Sequence, residues 1–436
     1  MVAPKQEKDK NIYESVKRLF NFLFIFLGGQ GSTAWSIFLT EGMLVSKKPL
    51  FIRLAQPTYG AYLLKSRHIT LVDKEHLATL KPPFLVMANH VHTFDPFFIS
   101  SAFPYHIRWV AGAYLFKLFG LRPLMRRWIG AISKQQGRSD LFTIRAMKEA
   151  LKEGDVVGVF PEGTRSWDGE PVGFDEAIAK LVKIFNVPIV VLCLEGVYGL
   201  KPRWATKKRK GKAFIRVLKP IYPDQISQLS VSQLHELLHQ QIDHSYREWQ
   251  HEKMLPYLGK HRCEGVEQVL CLCPDCLSVN TIVGKGNTIS CRNCSLLYEL
   301  DEYDRLVAKK TDHPFIDIAS WHAWQKEYSH SEKGSTLTYP HDVGVLFQTG
   351  DVKSLTILSK QFSLQLEEEG MRLHTLHGKE FYFAFSDIQS MIINAKNTVE
   401  LYHKQTLYRI RIQKKACILK YVEMYQAKKK PKEGAV

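Results

Sequence analysis

Between residues 69 and 200, short apolar runs alternate with stretches of helical spacing, and this alternation restricts the fold more than any other feature of the chain. Phe84–Ala88, Ile107–Val110, Val156–Phe160 and Ile189–Leu194 are rich in Val, Ile and Phe, as strands buried on both faces are. Leu115–Trp128, Asp140–Lys152 and Phe174–Phe185 carry helical periodicity between them. Such crossovers build an α/β domain with a mostly parallel sheet flanked by helices. Ligands of these sheets gather beyond the carboxyl ends of the strands.

The 436 residues contain 60 Lys and Arg against 43 acids, a net charge of +17 that points to a polyanionic partner. Nucleic acid, an anionic membrane surface and a phosphorylated substrate all satisfy that charge. Ordinary Gly and Pro usage and the scarcity of long apolar runs exclude collagen-like, low-complexity and polytopic membrane classes. Leu19–Thr40 carries no charged side chain for 22 residues, but Gly28–Thr33 interrupts it. Residues 1–59 therefore read as a membrane-associated helical segment, a hairpin dipping into one leaflet, with packing on the domain's own core as the alternative. The apolar stretch starts late and shows no A-x-A-type site, which argues against a signal peptide; with cysteines clustered in CxxC pairs, as reduced thiols are, this points to the cytoplasmic face.

At the end of the first apolar run stands Asn89-His90-Val91-His92-Thr93-Phe94-Asp95-Pro96. With Pro96 suited to a first helical turn, Asp95 can fold back on His90 and fix its tautomer while the other ring nitrogen removes a hydroxyl proton. The third run ends in Phe160-Pro161-Glu162-Gly163-Thr164-Arg165-Ser166, in which Pro161 and Gly163 set a tight turn. There Glu162 can accept from hydroxyls and Arg165 offers a fork to phosphate. The fourth opens Val187-Pro188-Ile189-Val190. In this order and spacing, N-H-x4-D-P, F-P-E-G-T-R-S and V-P-I-V resemble the glycerolipid acyltransferase family over roughly residues 60–220.

The resemblance implies transfer of a fatty acyl chain from a thioester, acyl-CoA or acyl-carrier protein, to a lysophospholipid hydroxyl. The expected acceptor is 1-acyl-sn-glycerol 3-phosphate. His90 would be the general base and Asp95 its orienting partner. Glu162, Gly163, Thr164 and Arg165 would form the acceptor-binding block. Three positions depart from the family pattern. His92 puts a second imidazole near Asp95. Gln136 stands where the family often has arginine, leaving Lys134 or Arg138 to serve the phosphate. Phe174-Asp175-Glu176 replaces a basic residue beside phenylalanine.

Five of the eight cysteines fall between Cys271 and Cys294. Cys273-Pro-Asp-Cys276, fourteen residues, then Cys291-Arg-Asn-Cys294 matches a structural Zn²⁺ ribbon with four thiolate ligands, with Cys271 as a substitute for Cys273. His235-Glu-Leu-Leu-His239 matches the H-E-x-x-H pattern, but it flanks the buried stripe Leu234, Leu238, Ile242 and Trp249 of a helix expected over about Val231–Glu252, and reads as a chance match. Lys201–Arg216 holds eight basic residues and no acid, and Trp204 in it suits a headgroup region. A helical stretch is expected around Ile316–Tyr328. Farther on, six strands between Ser354 and Ile412 and a helix over Ala416–Ala427 resemble a pleckstrin-homology-like fold.

The sequence thus divides into a membrane-associated segment (1–59), an acyltransferase domain (60–255), a zinc ribbon (260–300), a helical linker (301–339), a β-rich domain (340–427) and a basic tail (428–436). The implied partners are lysophospholipid, acyl thioester or carrier protein, and an anionic membrane surface. Nucleic acid is disfavoured, since no stacking platform or recognition helix is evident. The competing readings are acylation of another polar lipid and a non-catalytic zinc-ribbon binding protein.

Overall fold

The structure, a computed structural model, describes residues 48–117, 125–126, 129–134, 141–351 and 354–429. The expected hairpin at Leu19–Thr40, together with Gln136, Arg138 and most of the basic tail, lies outside the described residues. Among the described residues no helix is long and apolar enough to cross a membrane. Contacts divide the chain into two compact units. The first holds the described residues up to Ser166, Glu170–Leu200 and Gly211–Trp249; the second holds Trp167–Gly169, Lys201–Lys210 and the described residues from Gln250.

The first unit is built on a seven-stranded sheet in the order β1 (Ile69–Val72), β7 (Ala213–Val217), β6 (Ile189–Glu195), β2 (Phe84–Ala88), β5 (Val156–Val159), β3 (Ile107–Gly112), β4 (Ile132–Lys134). All neighbours are parallel except β6 and β7. The four expected strands form within a residue or two of their sequence bounds. β2 is buried at all five positions, which explains why its sequence is continuously apolar rather than alternating. At about 1.5–3 kcal/mol for each large buried side chain, these central strands hold the sheet together. Gly158 in β5 leaves room for its neighbour: a Cβ there would come 2.6 Å from Ile107 and from the Trp109 ring.

Helices α1 (Asp95–Ala102), α2 (Leu141–Lys152) and α3 (Ala177–Phe185) lie in the crossovers. Two helices, α4 (Val231–Ile242) and α5 (Tyr246–Lys253), replace the single helix expected over Val231–Glu252. Ser230 and Gln233 form a capping box that starts α4, and Leu234, Leu238 and Ile242 bury its inner face. Asp243 then leaves helical geometry, and the Ser245 hydroxyl accepts from the Glu248 N–H to start the next helix. Short polar side chains compete for backbone groups in this way and break a helix that periodicity alone would continue.

The second unit contains a four-stranded antiparallel sheet, β8 (Ile282–Lys285), β9 (Thr288–Cys291), β10 (Leu297–Leu300) and β11 (Leu306–Lys310). Helix α6 (Ile318–His330) follows, close to the expected Ile316–Tyr328. An eight-stranded sheet then precedes helix α7 (Leu419–Lys429): β12 (Asp342–Gly350), β13 (Leu355–Ser359), β14 (Phe362–Glu367), β15 (Gly370–Thr375), β16 (Glu380–Ala384), β17 (Ile388–Ala395), β18 (Thr398–His403) and β19 (Thr406–Ile412). Six of these strands match the sequence expectation; β12 and β17 were not anticipated. Both contain register shifts that blur the two-residue period.

The basic run departs from its expected role. Trp204 is fully buried, not placed for a membrane interface, and Arg203 and Arg209 are buried with it. Arg209 pairs with Asp304 at 2.5 Å and donates to the Arg262 carbonyl, while Arg203 stacks over Trp167 at 4.2 Å. Lys207, Lys208, Lys210 and Lys212 remain exposed.

Candidate active site and metal centre

The neighbouring positions of β2 and β5 set the geometry. Met87 pairs with Val159, so the chain leaving β2 toward His90 and the chain leaving β5 toward Glu162 emerge side by side at the carboxyl edge of the sheet. Asn89 is buried, and its Oδ1 accepts from the Leu194 N–H of β6 at 2.7 Å, pinning the strand exit on the other side. The loop then turns back into α1. Asp95 is wholly buried at its first turn, and its Oδ2 meets His90 Nδ1 at 2.8 Å and accepts from the N–H groups of Val91 (2.9 Å) and His92 (2.8 Å). Two amide donors fix the carboxylate before it meets the imidazole. The pair is therefore preorganised, and Asp95 sets the tautomer of His90.

His92 does not compete for that carboxylate with its ring. Its Nδ1 accepts from the Phe94 N–H at 3.0 Å, and the ring packs 5.2 Å from Phe98.

The second strand exit completes the site. Gly163 donates to the Phe160 carbonyl at 3.0 Å, closing a turn over Pro161 and Glu162, and its φ of +65° is the left-handed conformation that glycine supplies. Glu162 Oε2 accepts from the His90 N–H at 2.7 Å and Oε1 from the Val172 N–H at 3.3 Å. Burial pushes its carboxyl up to about 7, against the lowering effect of those two amides. Its structural place is thus behind His90, on the main chain. Arg165 Nη1 donates to the Thr93 hydroxyl at 2.6 Å, which ties the guanidinium to the histidine loop. Thr164 is half-buried beside it in sequence. Lys134 is exposed at the end of edge strand β4, three strands from β2, or about 14 Å at the usual strand spacing. It stands apart from the His90 group.

Sequence reasoning missed the aromatic wall of the site. Phe160 stacks on His90 with ring centroids 4.2 Å apart, and Trp109 stacks on Phe160 at 4.7 Å. Its one signal in the sequence is the phenylalanine at the strand exit, Phe160, which by type reads as strand. Thr93 was also passed over, because nothing in the sequence pairs it with Arg165. Asp175 and Glu176 serve local structure: Asp175 accepts from the Ala177 N–H, and Glu176 pairs with Lys180.

In the second unit the four sulfurs of Cys273, Cys276, Cys291 and Cys294 lie within 4.8 Å of one another. Cys273 and Cys294 are 3.6 Å apart, and Cys276 and Cys291 3.7 Å. Thiolates about 2.3 Å from a tetrahedral zinc would stand about 3.8 Å from each other, so the cluster fits that ion. Cys271 is not in the cluster; it is buried in the same hydrophobic core as Cys417.

Residues 68–195 match the family model described as Acyltransferase. The 1-acyl-sn-glycerol-3-phosphate acyltransferase of Saccharomyces cerevisiae is 26% identical over 192 residues, covering 43% of this chain and 62% of that protein. A 1-acyl-sn-glycerol-3-phosphate acyltransferase of Chlamydomonas reinhardtii is 27% identical over 161 residues, covering 36% of this chain and 47% of that protein. The alignments thus span about half to three fifths of these relatives. The crystal structure of the 1-acyl-sn-glycerophosphate acyltransferase PlsC from Thermotoga maritima aligns with a TM-score of 0.42 at 20% identity, over 57% of this chain and 98% of that one. Over residues 68–195 the chain is thus similar to acyltransferases, and the two curated relatives that match it are 1-acyl-sn-glycerol-3-phosphate acyltransferases.

Proposed function

We propose that the protein is an O-acyltransferase that moves a fatty acyl chain from a thioester, acyl-CoA or acyl-carrier protein, to the free hydroxyl of 1-acyl-sn-glycerol 3-phosphate in phospholipid synthesis. The observation that carries this reading is the His90 Nδ1 to Asp95 Oδ2 contact of 2.8 Å, with the carboxylate buried and already held by two amides. Asp95 meets only one ring nitrogen, so Nε2 is the base that takes the acceptor's hydroxyl proton. The resulting alkoxide attacks the thioester carbonyl, the carbon–sulfur bond breaks, and the imidazolium returns the proton to the departing thiolate. General-base assistance contributes ~10²–10⁴-fold. Arg165, steadied by Thr93, receives the acceptor phosphate, and Gly163 and Thr164 shape the turn that presents it.

The acceptor's headgroup has a second reading. Asp175 and Glu176 cap and brace α3 where the family commonly has a cation, so fewer positive groups line the acceptor side and another lysolipid fits the same chemistry. Membrane association at the cytoplasmic face, through residues 1–59 and the exposed lysines at 207, 208, 210 and 212, would deliver either acceptor. Cys273, Cys276, Cys291 and Cys294 hold one structural zinc; with four sulfurs bound it has no open position for chemistry. That equivalent should disappear in Cys276→Ser and in Cys294→Ser, as read by metal analysis.

The test of function is thiol release by the full chain from acyl-CoA, against a panel of lysolipids that includes lysophosphatidic acid. Turnover should be largest with lysophosphatidic acid and lost in His90→Ala. Release unaffected by that substitution would overturn the mechanism, and failure with every lysolipid would favour a binding role for the domain.

A further inference from the structure

The first unit holds a second place where histidines converge. His235 and His239 sit one turn apart on α4, with their Nε2 atoms 3.1 Å from each other. The Phe174 carbonyl oxygen lies 3.1 Å from the first Nε2 and 3.3 Å from the second. Both rings are half-buried, and the Phe174 ring lies flat on His239 at 4.0 Å, so the oxygen is held against the helix.

Hydrogen bonding alone cannot make all three edges of this triangle favourable. With a proton on one Nε2, the other nitrogen presents its lone pair to the carbonyl oxygen. With protons on both, both N–H groups can donate to the carbonyl oxygen, but the two nitrogens then crowd at 3.1 Å with no hydrogen bond between them. With none, three lone pairs converge. One edge is repulsive in every case. A cation at the centre removes the conflict. Donors about 2.1 Å from one ion stand about 3.0–3.4 Å from each other, depending on geometry, and all three observed edges fall in that range. Behind the site, His239 Nδ1 meets Asp243 Oδ2 at 2.9 Å, the carboxylate support that metal-bound imidazoles ordinarily have.

We propose that His235, His239 and the Phe174 carbonyl form a site for a first-row divalent transition metal, Zn²⁺ by the borderline character of two imidazoles and one oxygen. Water or a fourth ligand from solution completes the coordination on the exposed side. The site is separate from the four-cysteine cluster in sequence and in ligand type. Its ion would fasten the 172–174 loop, whose Val172 N–H supports Glu162, to α4.

The test is equilibrium dialysis of chelator-treated full-length protein against Zn²⁺, with bound metal counted by elemental analysis. Wild type should bind one equivalent per chain more than the His235→Ala/His239→Ala double variant, and Cys276→Ser should keep that extra equivalent. Asp243→Asn, which leaves all three donors in place, should weaken the site by about 10–100-fold. Equal zinc content in wild type and the double variant would overturn the proposal. So would an Asp243→Asn protein that binds the extra equivalent as tightly as wild type.

Discussion

Two imidazole–carboxylate contacts of nearly equal length occur in the two units, and they suit opposite purposes. His90 Nδ1 stands 2.8 Å from Asp95, and His322 Nδ1 stands 2.6 Å from Asp168. His322 also places Nε2 2.8 Å from Glu423, so both of its nitrogens face acids, whereas Asp95 meets one nitrogen of His90. The His322 side chain is 4% exposed and that of His90 19%. Burial alone would lower His322, but Glu423 and Asp168 outweigh it and raise the ring to about 10. His322 is therefore a fixed cation that ties Trp167–Gly169, α6 and α7 together within the second unit. The length of a His–acid contact carries little information about its role. Access to the ring and the number of acids around it decide.

That contrast breaks most directly under substitution. His90→Ala should lower kcat/KM for acyl transfer by ~10²–10⁴-fold with the melting temperature nearly unchanged. His322→Ala should do the reverse, because it leaves Asp168 and Glu423 buried against one another without the charge between them. A loss of about 3–5 kcal/mol is expected in chemical denaturation, with turnover per folded molecule largely kept. The pH dependence has a definite sign. A histidine raised to about 10 when folded, against ~6.5 unfolded, stabilises fully below the lower value and loses that contribution as pH rises toward the higher one. Wild type should weaken across this window more steeply than His322→Gln. Parallel slopes would mean that another group titrates there.

Arg165 probes the reactive side alone. Its guanidinium is held by Thr93, so Arg165→Ala should raise KM for the phosphorylated acceptor by about 10–100-fold, the scale of one charge-assisted contact, with a smaller change in kcat. Arg165→Lys should recover little of it, since an ammonium cannot form the fork. Equal losses in kcat and KM would move Arg165 from binding to the chemical step.

What the sequence made legible follows from how local each feature is. The central strands were readable because burial on both faces writes itself as a continuous apolar run, and β2 begins and ends where Phe84–Ala88 does. The His90–Asp95 contact and the four-cysteine cluster were readable because His90 and Asp95, and the two cysteines of each knuckle, lie a few residues apart in sequence. Contacts between distant segments were not. Nothing around Asp168 announces His322, 154 residues away, or Glu423. The basic run misled for the same reason: Arg203, Trp204 and Arg209 are polar or amphipathic by type, and only their long-range partners Ile393, Asp304 and Arg262 reveal that they are core. Composition counted their charges as free when two were already committed.

Glu162 supplies the smallest and most specific prediction, because its carboxylate accepts from the main-chain N–H of His90. Its carboxyl is pushed up to about 7 by burial, so between its ordinary value near 4.5 and 7 the folded chain holds a proton that the unfolded chain has released. Stability should fall as pH rises through that window. His322 also loses stability with rising pH, but between about 6.5 and 10. Glu162→Gln keeps the shape and one acceptor oxygen but cannot ionise. It should flatten the acidic window while leaving the alkaline one intact, and it should reduce turnover by less than about 10-fold, since His90 loses main-chain support rather than its acid partner. Denaturation of both proteins near pH 5 and pH 7.5 reads the difference. An unflattened slope would assign the titration elsewhere, whereas a loss as large as that of His90→Ala would move Glu162 from holding the base to joining the reaction.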